Sequence, residues 1–141
     1  WTGFYGAYDF YSCFEKSDTE NARSVLLQVV TGGTPDSHPE IYRQSSPFHW
    51  SSKNLPPGMM LQGEQDTLIP MEEALSMQSH LKQEAEENQI LLRVPFAQHG
   101  FDIFPSFTAQ CVLPFVERYL VLQYQKLQQK RNNEHRNPDS I

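Results

Sequence analysis

Pro57-Gly-Met-Met-Leu-Gln-Gly-Glu-Gln-Asp66 and Ile90-Leu-Leu-Arg-Val-Pro-Phe-Ala-Gln-His99-Gly-Phe-Asp102 decide how this chain is read. Each is a short apolar run that stops at a loop, and each loop presents a group suited to acid–base work: a carboxylate at Asp66 and an imidazole at His99. Neither Met59 to Gln62 nor Ile90 to Val94 alternates polar with apolar. Continuous apolar runs of this length suit parallel strands buried on both faces. Between the two runs, Pro70 fits the first helical position, and Glu72 and Glu73 suit the positive end of the helix dipole. Met71, Ala74, Met77 or Gln78, Leu81 and Ala85 then recur at three-and-four spacing, which predicts an amphipathic helix of about five turns. The acidic run Glu84, Glu86, Glu87 reads as its solvated face.

Outward from this centre the pattern is coarser. Trp1 to Tyr8 mixes aromatics and glycines in a way that suits the end of a buried strand and the turn after it. Asp9 to Asn21 is polar and reads as loop. Ala22 to Val30 is a short apolar run that periodicity alone leaves open; its polar lead-in favours helix. Thr31 to Pro39 is dense in turn formers and predicts a surface connection. Glu40 to Ser45 makes one short helix, stopped at Ser46-Pro47 because the residue before proline avoids the α region. Ser106 to about Lys130 reads as a long helix with an apolar stripe through Val112, Phe115 or Val116, Tyr119, Leu120 and Leu127. Pro114 is expected to kink it or mark its effective start. The polar tail 131–141 is expected to be frayed or disordered.

The resulting order is strand, helical excursion, strand, helix, strand, helix. It implies an α/β fold with about three parallel strands and flanking crossover helices, which are right-handed almost without exception. Loops at the carboxyl ends of such strands open on one edge of the sheet, where ligands bind in open α/β folds. Asp66 and His99 share that edge, so a direct hydrogen bond between them is geometrically reasonable.

Bulk properties exclude other classes. The 141 residues suggest one domain, with 38% hydrophobic and 20% charged residues as in ordinary globular chains. A net charge of −6 and the lack of a basic stripe argue against a nucleic-acid partner. No apolar run reaches the length of a membrane span. Cys13 and Cys111 form no C-x-x-C and read as buried, reduced thiols, with pairing left open. The first residues carry no signal-peptide pattern, and the expected compartment is cytoplasmic.

A carboxylate followed in chain order by a histidine matches the later two members of a Ser…Asp…His triad. A serine hydroxyl needs a base within hydrogen-bond reach. Imidazole serves because its pKa lies near working pH. The carboxylate fixes the tautomer and stabilises the imidazolium as it forms. Asp66 is therefore read as the orienter and His99 as the general base, then the general acid. Asp102 is a competing carboxylate, but it lies too close to His99 in sequence for the usual strand-separated arrangement. No Gly-x-Ser-x-Gly elbow and no His-Gly-Gly-Gly oxyanion loop occurs in the sequence, so no nucleophile is assigned within it. His38, His49, His80 and His135 have no partner at metal-ligand spacing, and Gly32-Gly33 is not a phosphate loop. No metal or cofactor is expected.

Several segments together resemble the α/β-hydrolase superfamily, specifically esterases and lipases similar to the feruloyl-esterase-like and hormone-sensitive-lipase-like carboxylesterases. These are Phe4-Tyr-Gly-Ala-Tyr-Asp9, Gly32-Gly-Thr-Pro35, Tyr42-Arg-Gln-Ser-Ser-Pro47, Leu61-Gln-Gly-Glu-Gln-Asp66 with Ile69-Pro70, and His99-Gly-Phe101. The resemblance implies the C-terminal half of an α/β-hydrolase fold. Residues 1–130 would form a partial domain holding strands six to eight, with a lid-like excursion at 9–50. The nucleophilic serine and the oxyanion loop would then belong to an upstream N-terminal half of the same domain, and the substrate would be a small-molecule ester. This chain alone is expected to be inactive. Two rival readings remain: a fragment of a prolyl-oligopeptidase-type serine peptidase, and a non-catalytic binding module on a hydrolase framework.

Overall fold

A computed structural model describes residues 1–16, 22–50, 53–85 and 88–136. The chain divides into two compact units, 1–101 and 102–141. In the first, strand β1 (Thr2–Phe4) leads into helices α1 (Phe10–Glu15), α2 (Ala22–Thr31) and α3 (Pro39–Ser45) and a 3-10 turn at Pro47–Trp50. Strand β2 (Gly58–Gly63), helix α4 (Met71–Glu84) and strand β3 (Gln89–Val94) follow. The second unit holds one long helix, α5 (Phe107–Arg136).

The three strands form a parallel sheet in the order β1-β2-β3. Met59 stands opposite Thr2 on one side and Ile90 on the other, and Leu61 opposite Phe4 and Leu92. Every residue of the central strand β2 is buried, as its unbroken apolar run requires. Strand β3 is less buried than its sequence suggests: Gln89 and Val94 are covered while Ile90 and Arg93 are exposed. It is an edge of the described sheet, and the Arg93 guanidinium there pairs with Glu64 at 2.8 Å. Helix α4 presents Ala74, Met77 and Leu81 at three-and-four spacing to Met60 of β2 and to Tyr8. Each such fully buried large apolar side chain contributes about 1.5–3 kcal/mol.

Several expectations change in detail. The loop expected over Asp9 to Asn21 contains α1. Asp9 caps that helix, its Oδ1 accepting from the backbone N–H of Tyr11 and Ser12; a polar stretch led by a capping Asp is itself a helix-start signal. Residues 17–21 lie outside the described residues. Helix α4 has 14 residues, one turn shorter than expected, and Pro70 is its N-cap rather than its first residue. Glu86 and Glu87, assigned to its solvated face, lie outside the described residues. Helix α5 runs through Pro114 and on to Arg136, so residues 131–136 are helical where a frayed tail was expected. Gln, Lys and Arg are good helix formers, and polarity does not end a helix when no Gly or Pro intervenes. Residues 137–141 of that tail lie outside the described residues. Cys13 is buried as expected, but Cys111 is exposed, and both are free thiols.

The excursion has its own small core. Cys13, Leu27 and Tyr42, one from each helix, pack together with Ala7, Phe10 and Phe14 against them. Ser46 closes it: its hydroxyl donates to the Tyr42 carbonyl at 2.7 Å and accepts from the Phe10 N–H at 2.9 Å. Gly32 ends α2 in the left-handed conformation, φ +82°, as a C-terminal glycine does.

Candidate active site

The loop after β2 is folded around Asp66. Asp66 Oδ1 accepts from the Leu68 N–H at 2.9 Å and the Ile69 N–H at 2.8 Å. These are the local bonds by which an Asp shapes a turn. Asp66 Oδ2 accepts from Gln62 Nε2 at 2.9 Å, and the same amide donates to the Ile69 carbonyl at 2.7 Å. The carboxylate is thus fully buried and held from two directions, which keeps it in one orientation.

The loop after β3 is stitched to this one by backbone. The Glu64 N–H donates to the Val94 carbonyl and the Gln65 N–H to the Ala97 carbonyl, both at 3.0 Å. Gly63 makes this possible, because a Cβ there would run into the Ala97 carbonyl oxygen. Two residues beyond Ala97, His99 Nδ1 stands 2.9 Å from Asp66 Oδ2. Gly100 follows at φ +70°, a left-handed turn that a side chain would resist. Tyr5, itself at φ +36°, lays its ring against the imidazole with centroids 4.4 Å apart. Phe101 packs on both Phe4 and Tyr5. Strained positions of this kind cluster at functional sites.

With Nδ1 occupied by Asp66, the ring has no other hydrogen-bond partner among the described residues, and about a third of the His99 side chain remains exposed. The imidazole borders a pocket of about 220 Å³ whose walls include Tyr5, Phe10, Arg23, Leu27 and Ile69. An imidazole tied through one nitrogen to a buried carboxylate and lining an apolar pocket can take a proton from a hydroxyl placed there and return it.

The structure therefore brings together Asp66 and His99. The remaining candidates lie elsewhere. His38 Nδ1 meets the Ser37 hydroxyl at 2.9 Å, and His80 stacks on Phe48 with centroids 4.1 Å apart. The side chain of His135 lies outside the described residues. Burial, with the Glu73 charge beside it, pushes the Cys13 thiol well above its ordinary range, which suits an inert core thiol. Among the described residues no group of three or more His, Cys, Asp or Glu could hold a metal ion. No described helix is long and apolar enough to cross a membrane. Sequence reading missed Gln62, whose one visible signal is a polar residue closing an otherwise apolar buried strand. It also missed Tyr5, read only as part of a strand end.

With this geometry in view, residues 2–81 match the family described as BD-FAE. The chain belongs to the BD-FAE family. It is 38% identical over 103 residues to the esterase LipC of Mycobacterium tuberculosis, a match covering 72% of this chain and 25% of LipC. Among solved structures it resembles a truncated carbohydrate esterase from gut microbiota, with a TM-score of 0.60 and 17% identity over 82% of this chain and 41% of that one. It also resembles an acylaminoacyl peptidase of Pyrococcus horikoshii, with a TM-score of 0.62 and 20% identity over 83% of this chain and 19% of that one. The fold is that of the α/β-hydrolase esterases, and this BD-FAE chain spans about a quarter of the length of LipC.

Proposed function

We propose that this segment contributes the base and the orienting carboxylate of a serine hydrolase that cleaves carboxylic esters. His99 takes the proton of a serine hydroxyl as it attacks the ester carbonyl, then returns it to the leaving alkoxide. Asp66 holds Nδ1–H toward itself and stabilises the imidazolium between those steps. The serine comes from sequence outside these residues, since no glycine-flanked serine is present here. The observation that carries the reading is the 2.9 Å approach of His99 Nδ1 to a buried, multiply bonded Asp66 at the edge of an apolar pocket. The 38% identity to a named esterase supports the ester as substrate class. The volume of the pocket suits an acyl or alkyl chain of a few carbons.

The test is turnover of p-nitrophenyl acetate and butyrate by the full-length protein that carries this segment, beside its His99→Ala variant. Ester turnover lost in the variant, with the fold retained by circular dichroism, supports the reading. Undiminished turnover in the variant overturns it. Turnover of an acylaminoacyl anilide without ester turnover would move the activity to the peptidase class. Absence of both activities would favour a binding module.

A further inference from the structure

Glu73, in the first turn of α4, is 2% exposed, an unusual place for a carboxylate. Its Oε1 accepts from the Ser12 hydroxyl at 3.0 Å and from Lys16 Nζ at 3.1 Å, both on or just beyond α1. The chain of contacts continues to α2, where Arg23 Nη2 donates to the Lys16 carbonyl at 3.0 Å. Helix α2 in turn supplies Arg23, Leu26, Leu27 and Val30 to one wall of the pocket beside His99. Leu68 and Ile69, also in its lining, come from the Asp66 loop, which runs directly into α4. Glu73 thus links the α1–α2 part of the pocket lining to the helix that follows the Asp66 loop.

We propose that Glu73 is a positioning residue that fastens the α1–α2 wall of the His99 pocket to the Asp66 loop, and so sets the length of acyl or alkyl chain the pocket accepts. The consequence for chain length rests on the ester-hydrolase reading; the fastening does not. A buried carboxylate is held by its ion pair and hydrogen bonds, so removing its charge weakens what holds α1 in place. The bonds that fix Asp66 come from Gln62, Leu68, Ile69 and His99 and do not pass through Glu73. The Cys13–Leu27–Tyr42 cluster that packs the excursion includes neither Glu73 nor Lys16. Loosening should therefore fall on the pocket wall more than on the Asp66–His99 pair.

The experiment compares Glu73→Gln, Lys16→Met and the double variant in the full-length protein. Hydrogen exchange is read at residues 22–31, and kinetics on p-nitrophenyl acetate and hexanoate. In Glu73→Gln, exchange in α2 is expected to be about tenfold faster while β2 is unchanged. The hexanoate-to-acetate ratio of kcat/KM is expected to fall about tenfold, mainly through KM, the low end of what a fitted apolar pocket discriminates. The double variant should be no worse than Glu73→Gln alone, because the two residues act as a pair. Unchanged α2 exchange, or strictly additive effects of the two substitutions, would overturn the fastening. Loosened α2 with an unaltered ester ratio would overturn its role in chain length. If the wild-type protein hydrolyses neither ester, the ester reading fails by itself and hydrogen exchange alone decides the fastening.

Discussion

Asp66 Oδ2 and His99 Nδ1 stand 2.9 Å apart across 33 residues of sequence, and Gln62 holds the same carboxylate oxygen from behind. The pair meets because two consecutive parallel strands end at the same sheet edge and their loops share backbone hydrogen bonds.

In the full-length protein, Asp66→Asn is expected to lower ester turnover by about ten-thousandfold, the loss seen when the orienting carboxylate of a serine-protease triad becomes an amide. The Asn amide favours the wrong imidazole tautomer without altering shape. Asp102→Asn made in parallel should stay near wild type. Steady-state kinetics on p-nitrophenyl butyrate checks both, and the reverse pattern would move the orienting role to Asp102.

Gln62→Leu removes two donated hydrogen bonds and leaves a buried Asp66 oxygen and the Ile69 carbonyl short of donors. Asp66 Oδ2 keeps His99, so the expected cost is about 1–3 kcal/mol, chiefly from the Ile69 carbonyl left without its donor. Urea denaturation measures the stability, and ester turnover should fall as well because Asp66 is less firmly held against His99. A variant with wild-type stability and turnover would show that Gln62 does not hold Asp66.

Gly63→Ala places a methyl group against the Ala97 carbonyl oxygen. Relief requires the two loops to part, at a cost of about 1–3 kcal/mol typical of overpacking. Activity should fall along with the midpoint of thermal unfolding, since the Gln65–Ala97 bond sits between Asp66 and His99. An unshifted midpoint with full activity would contradict the close approach.

Burial pushes the Tyr8 hydroxyl from 10.0 up to about 12. A tyrosine whose folded pKa is raised keeps its proton in the native state after the unfolded chain has lost it. Stability is therefore complete below pH 10.0 and declines as pH rises toward about 12. Tyr8→Phe should flatten this part of the stability curve, measured by urea midpoints at successive alkaline pH values. The hydroxyl has no hydrogen-bond partner among the described residues, so the substitution should cost little at neutral pH.

Much of this was legible in the sequence because its signals are local. Unbroken apolar runs gave β2 and β3, turn residues gave the breaks, and three-and-four spacing gave α4. Helix α1 escaped because a six-residue helix has too few positions to show a period, and its capping Asp9 also reads as a loop residue. The exposure of Ile90 escaped for another reason: the strand's own residues do not say whether it lies in the middle or at the edge of a sheet.

The sequence by itself determined the α/β order of elements, the two strand-end loops, and the residue types that suit a base and its orienter. The tertiary structure decided which atoms meet. Chain order places Asp66 and His99 on one edge but does not set their separation, which depends on the parallel register of β2 with β3 and on the space left at Gly63. Nor does it show that Gln62 and Glu73 are buried, since a polar residue in a strand or a first helical turn reads the same whether it faces water or a partner. Burial and hydrogen-bond partnership are properties of the neighbours that folding supplies, and those lie far away in sequence.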